Sequence, residues 1–167
     1  SGAIDSVPYI CMELVDGVSL STFCKWHNTR HLDLNIVLEI SQSLSRALHW
    51  IHSLTDERGH PLKLIHRDIT PQNVLVDRDG SVKITDFGIA RFDGRFASTK
   101  IGVTKGKLAY SSPEHLRNQR IDHRSDIFSL GVLMAELCTG QVLFPEGVLA
   151  LDDAEARVRD VLLQAPE

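Results

Sequence analysis

Two short apolar runs in the middle of the chain flank a turn. Val74-Leu75-Val76 precedes Asp79-Gly80, and residues 82–84 follow it. Apolar, β-branched runs on either side of an Asp-Gly pair are typical of a β-hairpin. A hairpin folded symmetrically about Asp79-Gly80 would place Asn73 directly opposite Asp86, with backbones roughly 5 Å apart.

Apolar residues at helical spacing mark two longer segments. Behind Asp33, a candidate N-cap, one apolar stripe is formed by Ile36, Ile40, Leu44, Ala47 or Leu48, and Ile51. The second segment, Ile127 to Leu137, is apolar almost all round, which predicts a buried helix. Gly140 is a candidate C-cap for it.

Shorter segments complete the predicted architecture. Residues 8–15 are β-rich and apolar, which favours a strand buried on both faces, whereas Ser19 to Asn28 reads as a short helix. Residues 89–111 show no period and are typical of a mobile segment, and residues 152–163 have a helical pattern. The fold class predicted is therefore α+β, mainly helical with short β-hairpins.

The predicted hairpin also gathers candidate chemistry. An amide oxygen at Asn73 and a carboxylate at Asp86 are hard-oxygen ligands of the kind that bind Mg²⁺ together with substrate phosphates. Asp68, five residues before Asn73, adds a second carboxylate beside this metal site. The layout predicts phosphoryl transfer.

Composition sets bounds on partners and compartment. A net charge of −4 provides no basic stripe for nucleic acid and no polybasic membrane patch. The three cysteines are scattered, which predicts a reduced compartment such as the cytoplasm. The apolar run Leu130 to Leu137 is too short to span a bilayer. We expect any membrane tether to lie elsewhere in a longer protein.

Four motifs, which follow one another in the order typical of the family, resemble those of eukaryotic-type protein kinases. Their residues are most similar to those of bacterial Ser/Thr kinases. They are Tyr9 to Gly17, His66-Arg67-Asp68-Ile69-Thr70-Pro71-Gln72-Asn73 with Asp86-Phe87-Gly88, Ser112-Pro113-Glu114, and Arg124 to Gly131. The resemblance implies that residues 1–16 are the last small-lobe strand and the hinge. Residues 17–167 would be the large lobe, truncated before its final helices. We expect negligible turnover from these residues alone.

The resemblance implies ATP and Mg²⁺ as cofactors and assigns site residues. Asp68 would be the catalytic base, and Asn73 and Asp86 the metal ligands. The adenine site would use Met12 as gatekeeper, backbone groups of Glu13 and Val15, and the side chain of Leu75. Ser19 aligns with a ribose-binding position, although a helix N-cap is a competing interpretation.

Two positions depart from the family pattern. Thr70 stands where Ser/Thr kinases carry a lysine that touches the transferring phosphate, and Lys107 stands where they carry a threonine. We hypothesise that Lys107 reaches back beside Asp68 and replaces the missing cation, with Thr70 near it. The alternatives are a solvated Lys107 and a weak enzyme or pseudokinase.

Other positions take supporting roles by resemblance. Arg67 would pair with a phosphate on Ser98, Thr99 or Thr104, which predicts autophosphorylation of the activation segment. His66 and Phe87 would stack in a column held through Asp126. Tyr110 and Glu114 would shape the platform for a protein substrate.

Three functions remain open from sequence alone. The first is ATP-dependent phosphorylation of Ser or Thr in proteins. The sequence Pro71-Gln72-Asn73 keeps the Pro-x-Asn pattern that is typical of Ser/Thr kinases. The second is a pseudokinase or scaffold that binds partners without turnover. The third is a small-molecule phosphotransferase, which the activation segment ending at Ser112-Pro113-Glu114 disfavours because a small substrate needs no peptide platform.

Overall fold

The computed structural model of the chain describes residues 2–4, 7–9, 11–27, 31–87 and 105–145, together with positions 157 and 160. The strands there are β1 Gly2–Ile4, β2 Val7–Tyr9, β3 Gly17–Ser19, β4 Val74–Asp77 and β5 Val82–Ile84. The helices there are α1 Leu20–Trp26, α2 Leu34–His52, α3 Pro113–Leu116 and α4 Arg124–Thr139, with a 3-10 helix at Lys105–Tyr110.

Helix α2 begins at the predicted cap and buries one face. The Asp33 carboxylate accepts a hydrogen bond of 2.8 Å from the backbone N–H of Asn35, which confirms Asp33 as the N-cap. Val37, rather than the predicted Ile36, starts the buried stripe, and Ile36 is 40% exposed. The apolar stripe was therefore predicted correctly except at its first position, where two adjacent apolar residues compete for one face.

Helix α4 packs against α2 in the hydrophobic core. Leu130, Leu133 and Leu137 are buried there, and each buried leucine contributes about 1.5–3 kcal/mol relative to an exposed one. The helix ends at Gly140, whose φ of 68° is left-handed as a glycine C-cap requires. Ile127, in contrast, is 50% exposed, so the helix is not buried on every side.

Strands β3, β4 and β5 form one antiparallel sheet in that order. Strand β3 was not predicted, because three residues are too few to show a period. It pairs Gly17 with Asp77 and Ser19 with Leu75. A Cβ atom at Gly17 would lie 2.1 Å from the carbonyl oxygen of Val76, so only glycine allows this close approach.

The β4–β5 hairpin is confirmed, but its predicted register is wrong. Val74 pairs with Ile84 and Val76 with Val82, and the Asp77 N–H donates to the Ser81 carbonyl. The connection is thus a three-residue loop over 78–80, closed by Gly80 at φ 85°. Three-residue loops of this kind end in a left-handed residue, whereas the symmetric prediction assumed a two-residue turn.

Residues 8–15 do not form one buried strand. Strand β2 ends at Tyr9, and residues 11–15 have no regular structure. Met12 is 61% exposed and Leu14 is 93% exposed. An apolar run is buried only where another layer covers it, and the described residues place no such layer over this segment.

The two remaining segment predictions can be compared with the structure only in part. The non-periodic segment 89–111 ends in the 3-10 helix at Lys105–Tyr110, and its residues 89–104 lie outside the described residues. Most of the predicted helix at 152–163 also lies outside them. Across the ranges that are described, no helix has the length and apolar character needed to cross a bilayer.

Candidate active site

The loop that carries Asp68 is anchored to the start of helix α4. Asp126, which is 0% exposed, accepts hydrogen bonds from two successive backbone N–H groups, of His66 at 2.9 Å and of Arg67 at 2.8 Å. Arg67 adopts a left-handed φ of 69°, an uncommon conformation for a residue with a side chain. The buried carboxylate therefore holds the backbone immediately before Asp68 in a shape that it rarely takes unaided.

His66 ties this loop to the segment that carries Asp86. Its Nε2 lies 3.0 Å from the Thr85 carbonyl oxygen and donates to it, while Nδ1 accepts from the Asp68 N–H at 3.3 Å. The ring packs on Phe87 with centroids 4.8 Å apart. Burial lowers the pKa of His66, which keeps the ring neutral and able to accept at Nδ1. The expected stack of His66 and Phe87 held through Asp126 is present.

Asp68 and Asn73 are in direct contact. The Asn73 amide nitrogen donates to the Asp68 carbonyl oxygen at 2.8 Å and to its carboxylate at 2.9 Å. Both acceptors fix the amide orientation, so the amide oxygen points away from Asp68. Asn73 is 5% exposed, whereas Asp68 is half-buried and can be reached from solvent. The structure thus brings together the predicted base and the first predicted metal ligand.

Asp86 lies one position beyond the residue that pairs with Asn73. The Thr85 N–H donates to the Asn73 carbonyl at 2.9 Å, so Thr85 is the residue opposite Asn73. Asp86 follows with a left-handed φ of 57° and is exposed. The predicted direct pairing of Asn73 with Asp86 is wrong by one residue, because the loop has three residues rather than two.

The donor set fits a magnesium ion better than a transition metal. Among the described residues no group of three or more His, Cys, Asp or Glu side chains could hold a metal. One amide oxygen and one carboxylate are instead the few hard-oxygen ligands that Mg²⁺ takes when water and phosphate complete its shell. Asn73 and Asp86 therefore fit Mg²⁺ only together with a phosphate-bearing substrate.

Two of the predicted adenine-site residues, Ser19 and Leu75, lie in the three-stranded sheet, whereas Met12, Glu13 and Val15 lie in the irregular segment before it. Leu75 on β4 is half-buried and pairs with Ser19 on β3 and Lys83 on β5. The Glu13 carboxylate accepts a 2.5 Å ion pair from Lys83, which fastens the segment of Met12 to Val15 to strand β5. The hydrogen bond from Lys83 to Glu13 raises the pKa of Lys83. This ion pair was not predicted.

Ser19 acts as a helix cap. Its hydroxyl oxygen accepts a hydrogen bond of 3.2 Å from the Thr22 N–H at the start of α1. The same hydroxyl lies 3.0 Å from the Thr22 hydroxyl. The capping interpretation is confirmed, and the hydroxyl's hydrogen-bonding capacity is largely used inside the protein.

Two polar groups within two residues of Asp68 in the sequence have no partner among the described residues. The Thr70 hydroxyl is buried, in a residue 1% exposed, and the Arg67 Nε atom is also buried. An unsatisfied buried hydroxyl costs about 1–3 kcal/mol, so a further group is expected to meet it. Lys107 belongs to the 3-10 helix, but its side chain lies outside what the structure describes, as do Ser98, Thr99 and Thr104.

The end of the predicted activation segment is bound to helices α3 and α4. The Tyr110 hydroxyl donates to Glu136, and burial, followed by this bond, raises the pKa of Tyr110. The Ser125 hydroxyl donates to Glu114 at 2.5 Å, and Ser112 lies 3.0 Å from Ser125. A cavity of about 430 Å³ opens between α1, Gln72, Tyr110 and Glu136.

A helical lobe with a three-stranded sheet that presents Asp68 and Asn73 on an anchored loop defines a protein-kinase-like architecture. The protein kinase domain family matches residues 4–162, and the chain belongs to this family. Protein kinase domains in general use ATP and Mg²⁺ and act on proteins.

Individual relatives are bacterial. The chain is 40% identical over 140 residues to the Tyrosine-protein kinase MasK of Myxococcus xanthus, covering 83% of this chain and 22% of that protein. It is 34% identical over 145 residues to the Serine/threonine-protein kinase PrkC of Bacillus subtilis, covering 86% and 20% respectively. The chain thus spans about a fifth of the length of these two relatives.

A solved structure supports the fold. The crystal structure of the PknI kinase domain of Mycobacterium tuberculosis, in a mutant form, superimposes with a TM-score of 0.57 at 26% identity. The similarity covers 77% of this chain and 43% of that one. The predicted kinase-like fold class is confirmed.

Proposed function

We propose that the full-length protein transfers a phosphoryl group from ATP to Ser or Thr hydroxyls of protein substrates. The observation that carries the proposal is the contact between Asp68 and Asn73 on a loop whose backbone is fixed by Asp126. Phosphoryl transfer is catalysed mainly by positioning and charge stabilisation, and a rigidly held carboxylate beside a metal ligand supplies both.

Asp68 receives the proton of the attacking hydroxyl in this proposal, and orients that hydroxyl towards the phosphate. Asn73 and Asp86 would hold Mg²⁺, which would supply positive charge to offset that of the phosphate oxygens. Met12, Leu75 and the backbone of Glu13 and Val15 line the adenine site, and the Glu13–Lys83 ion pair steadies that segment.

The substrate side of the site supports a protein acceptor. The cavity beside Gln72, Tyr110 and Glu136 adjoins the loop that carries Asp68, since Pro71 and Gln72 line it. Tyr110 is fixed to α4 through Glu136, so this wall is rigid. A small-molecule phosphotransferase would need no such platform, and no observation favours a scaffold without turnover.

A second candidate function differs from the first in the acceptor residue, which would be tyrosine instead of serine or threonine. One relative is named a tyrosine-protein kinase and another a serine/threonine-protein kinase. We expect purified full-length protein with radiolabelled ATP and Mg²⁺ to label protein substrates on serine and threonine in phosphoamino acid analysis. If only phosphotyrosine is found, the protein is a tyrosine kinase. If no protein becomes labelled, the proposed activity is refuted. Omission of Mg²⁺ serves as the control.

Phosphorylation of the activation segment is a further part of the proposal. Arg67 has a buried Nε atom without a described partner, and a guanidinium binds phosphate through charge-assisted hydrogen bonds. We expect mass spectrometry of the active protein to find phosphate on Ser98, Thr99 or Thr104. Replacing all three by Ala should lower activity about tenfold or more, since bonds of this kind contribute roughly 1.5–3 kcal/mol.

The matched test combines these replacements with Arg67→Ala. If Arg67 acts through the phosphate, the Arg67→Ala change should cost little further activity once the three hydroxyls are gone. Additive losses would show that Arg67 acts elsewhere. An active protein without phosphate at these positions would exclude the mechanism.

A further inference from the structure

Two serines one turn apart on α4 contact the end of the predicted activation segment. Ser125 and Ser129 lie in the first half of α4 and are 3% and 7% exposed. The Ser129 hydroxyl donates to the Tyr110 carbonyl at 2.7 Å, and the Ser125 hydroxyl contacts Ser112 and Glu114. These contacts fall at positions 110, 112 and 114, and they connect the 3-10 helix, α3 and α4.

The hydroxyl groups around Ser125 form a directed chain of hydrogen bonds. Ser112 Oγ accepts from the His115 N–H at 3.4 Å as the N-cap of α3, and donates to Ser125 Oγ at 3.0 Å. The Ser125 hydroxyl in turn donates to the Glu114 carboxylate at 2.5 Å. Each hydroxyl has one hydrogen to donate, so the chain runs from Ser112 through Ser125 to a charged acceptor. Bonds to charged groups are the stronger ones, and linked hydrogen bonds polarise one another.

We propose that Ser112, Ser125 and Ser129, together called the serine cluster, are positioning residues that fix the protein-substrate platform, residues 110–116, on α4. Ser112 is 1% exposed, and a buried hydroxyl that loses its partner is costly. The cluster therefore favours one arrangement of the platform on the helix. The effect on substrate binding rests on the proposed function, whereas the effect on the conformation of the platform does not.

The platform borders the cavity proposed for the protein substrate. Tyr110 lines this cavity of about 430 Å³ together with Gln72. Ser129 holds the Tyr110 backbone, while Glu136 accepts from the Tyr110 hydroxyl. Leu75, of the predicted adenine site, lies on β4 in the three-stranded sheet. A displaced platform should therefore weaken binding of the protein substrate and leave ATP binding nearly unchanged.

Serine-to-alanine variants remove single hydroxyl groups with little change in volume. Ser125→Ala removes the central link of the chain of hydrogen bonds. Ser41→Ala is the matched control, because Ser41 is 6% exposed and donates to the Val37 carbonyl within α2. Ser129→Ala, which removes the other hydroxyl on α4, takes the place of Ser125→Ala if that variant does not fold.

Hydrogen exchange of the full-length protein measures the platform directly. The Leu116 N–H donates to the Ser112 carbonyl at 3.0 Å and serves as the reporter. We expect this amide to exchange about tenfold or more faster in Ser125→Ala and to keep its protection in Ser41→Ala. Unaltered protection in Ser125→Ala, or in Ser129→Ala where it takes its place, would overturn the proposal even if the protein transferred no phosphate.

Kinetics of the full-length protein, with casein as the acceptor protein, provide the second measurement. We expect Ser125→Ala to raise KM for casein about tenfold with KM for ATP nearly unchanged, and Ser41→Ala to change neither. An equal rise in both KM values, or an unchanged KM for casein, would overturn the role in substrate binding. If the proposed function fails, the wild type labels no protein, and the exchange measurement alone decides.

Discussion

Replacement of Asp68 by Asn is expected to lower kcat of the full-length protein by about 10²–10⁴-fold, the usual contribution of a positioned acid–base group. Asn retains an oxygen that can accept from Asn73, so the 2.9 Å contact between the two side chains and the loop conformation should survive. What is lost is the negative charge that, in the proposed mechanism, receives the proton of the attacking hydroxyl. KM for ATP should therefore change little, which steady-state kinetics at saturating protein substrate will show.

Asp79→Asn is the matched control for this experiment. Asp79 lies in the connection of the β4–β5 hairpin that follows the loop of Asp68, is exposed, and accepts from the Ser81 N–H at 2.9 Å, a hydrogen bond that Asn can also accept. It should leave kcat at the wild-type value. A small loss of kcat in Asp68→Asn, comparable to that of the control, would remove Asp68 from the chemistry. A raised KM for ATP with unchanged kcat would instead indicate a binding role.

Local sequence signals predicted the secondary-structure elements well, but they predicted the register between paired strands poorly. The cap at Asp33, the C-cap at Gly140 and both strands of the β4–β5 hairpin follow from residue types a few positions apart. The hairpin register depends on one further residue in the loop, which the Asp-Gly pair alone cannot reveal. That single residue moves Asp86 away from the position opposite Asn73.

Contacts between distant segments were beyond the reach of the sequence pattern. His52 and Asp126 are 74 residues apart, and Lys83 is 70 residues from Glu13. Such pairs form because the packing of α2 on α4 and of the sheet on the preceding segment brings them together. The contact between Asp68 and Asn73 could be expected from the sequence because both lie on a single loop, where five residues limit their separation.

A substitution at Lys107 should affect this protein more than it would affect kinases that carry a lysine at the position of Thr70. We expect Lys107→Ala to lower kcat by about 10²–10³-fold, the typical cost of removing one preorganised charge stabiliser. The expectation rests on Thr70, which offers no cation and whose buried hydroxyl, two residues after Asp68 in the sequence, has no partner among the described residues. Lys105→Ala is the matched control, since it removes a lysine two positions away.

The reciprocal exchange tests whether the two positions share one role. In Lys107→Thr, the added change Thr70→Lys should restore kcat by about tenfold or more, because an ammonium then returns to the catalytic loop near the transferring phosphate. Thr70→Lys alone should bring two cations together and give no such gain. Failure of the double variant to recover, with normal folding and ATP binding, would show that Lys107 acts outside the phosphate site. Equal losses in Lys105→Ala and Lys107→Ala would indicate a general effect of charge in the segment, because only a specific contact distinguishes two lysines so close in sequence.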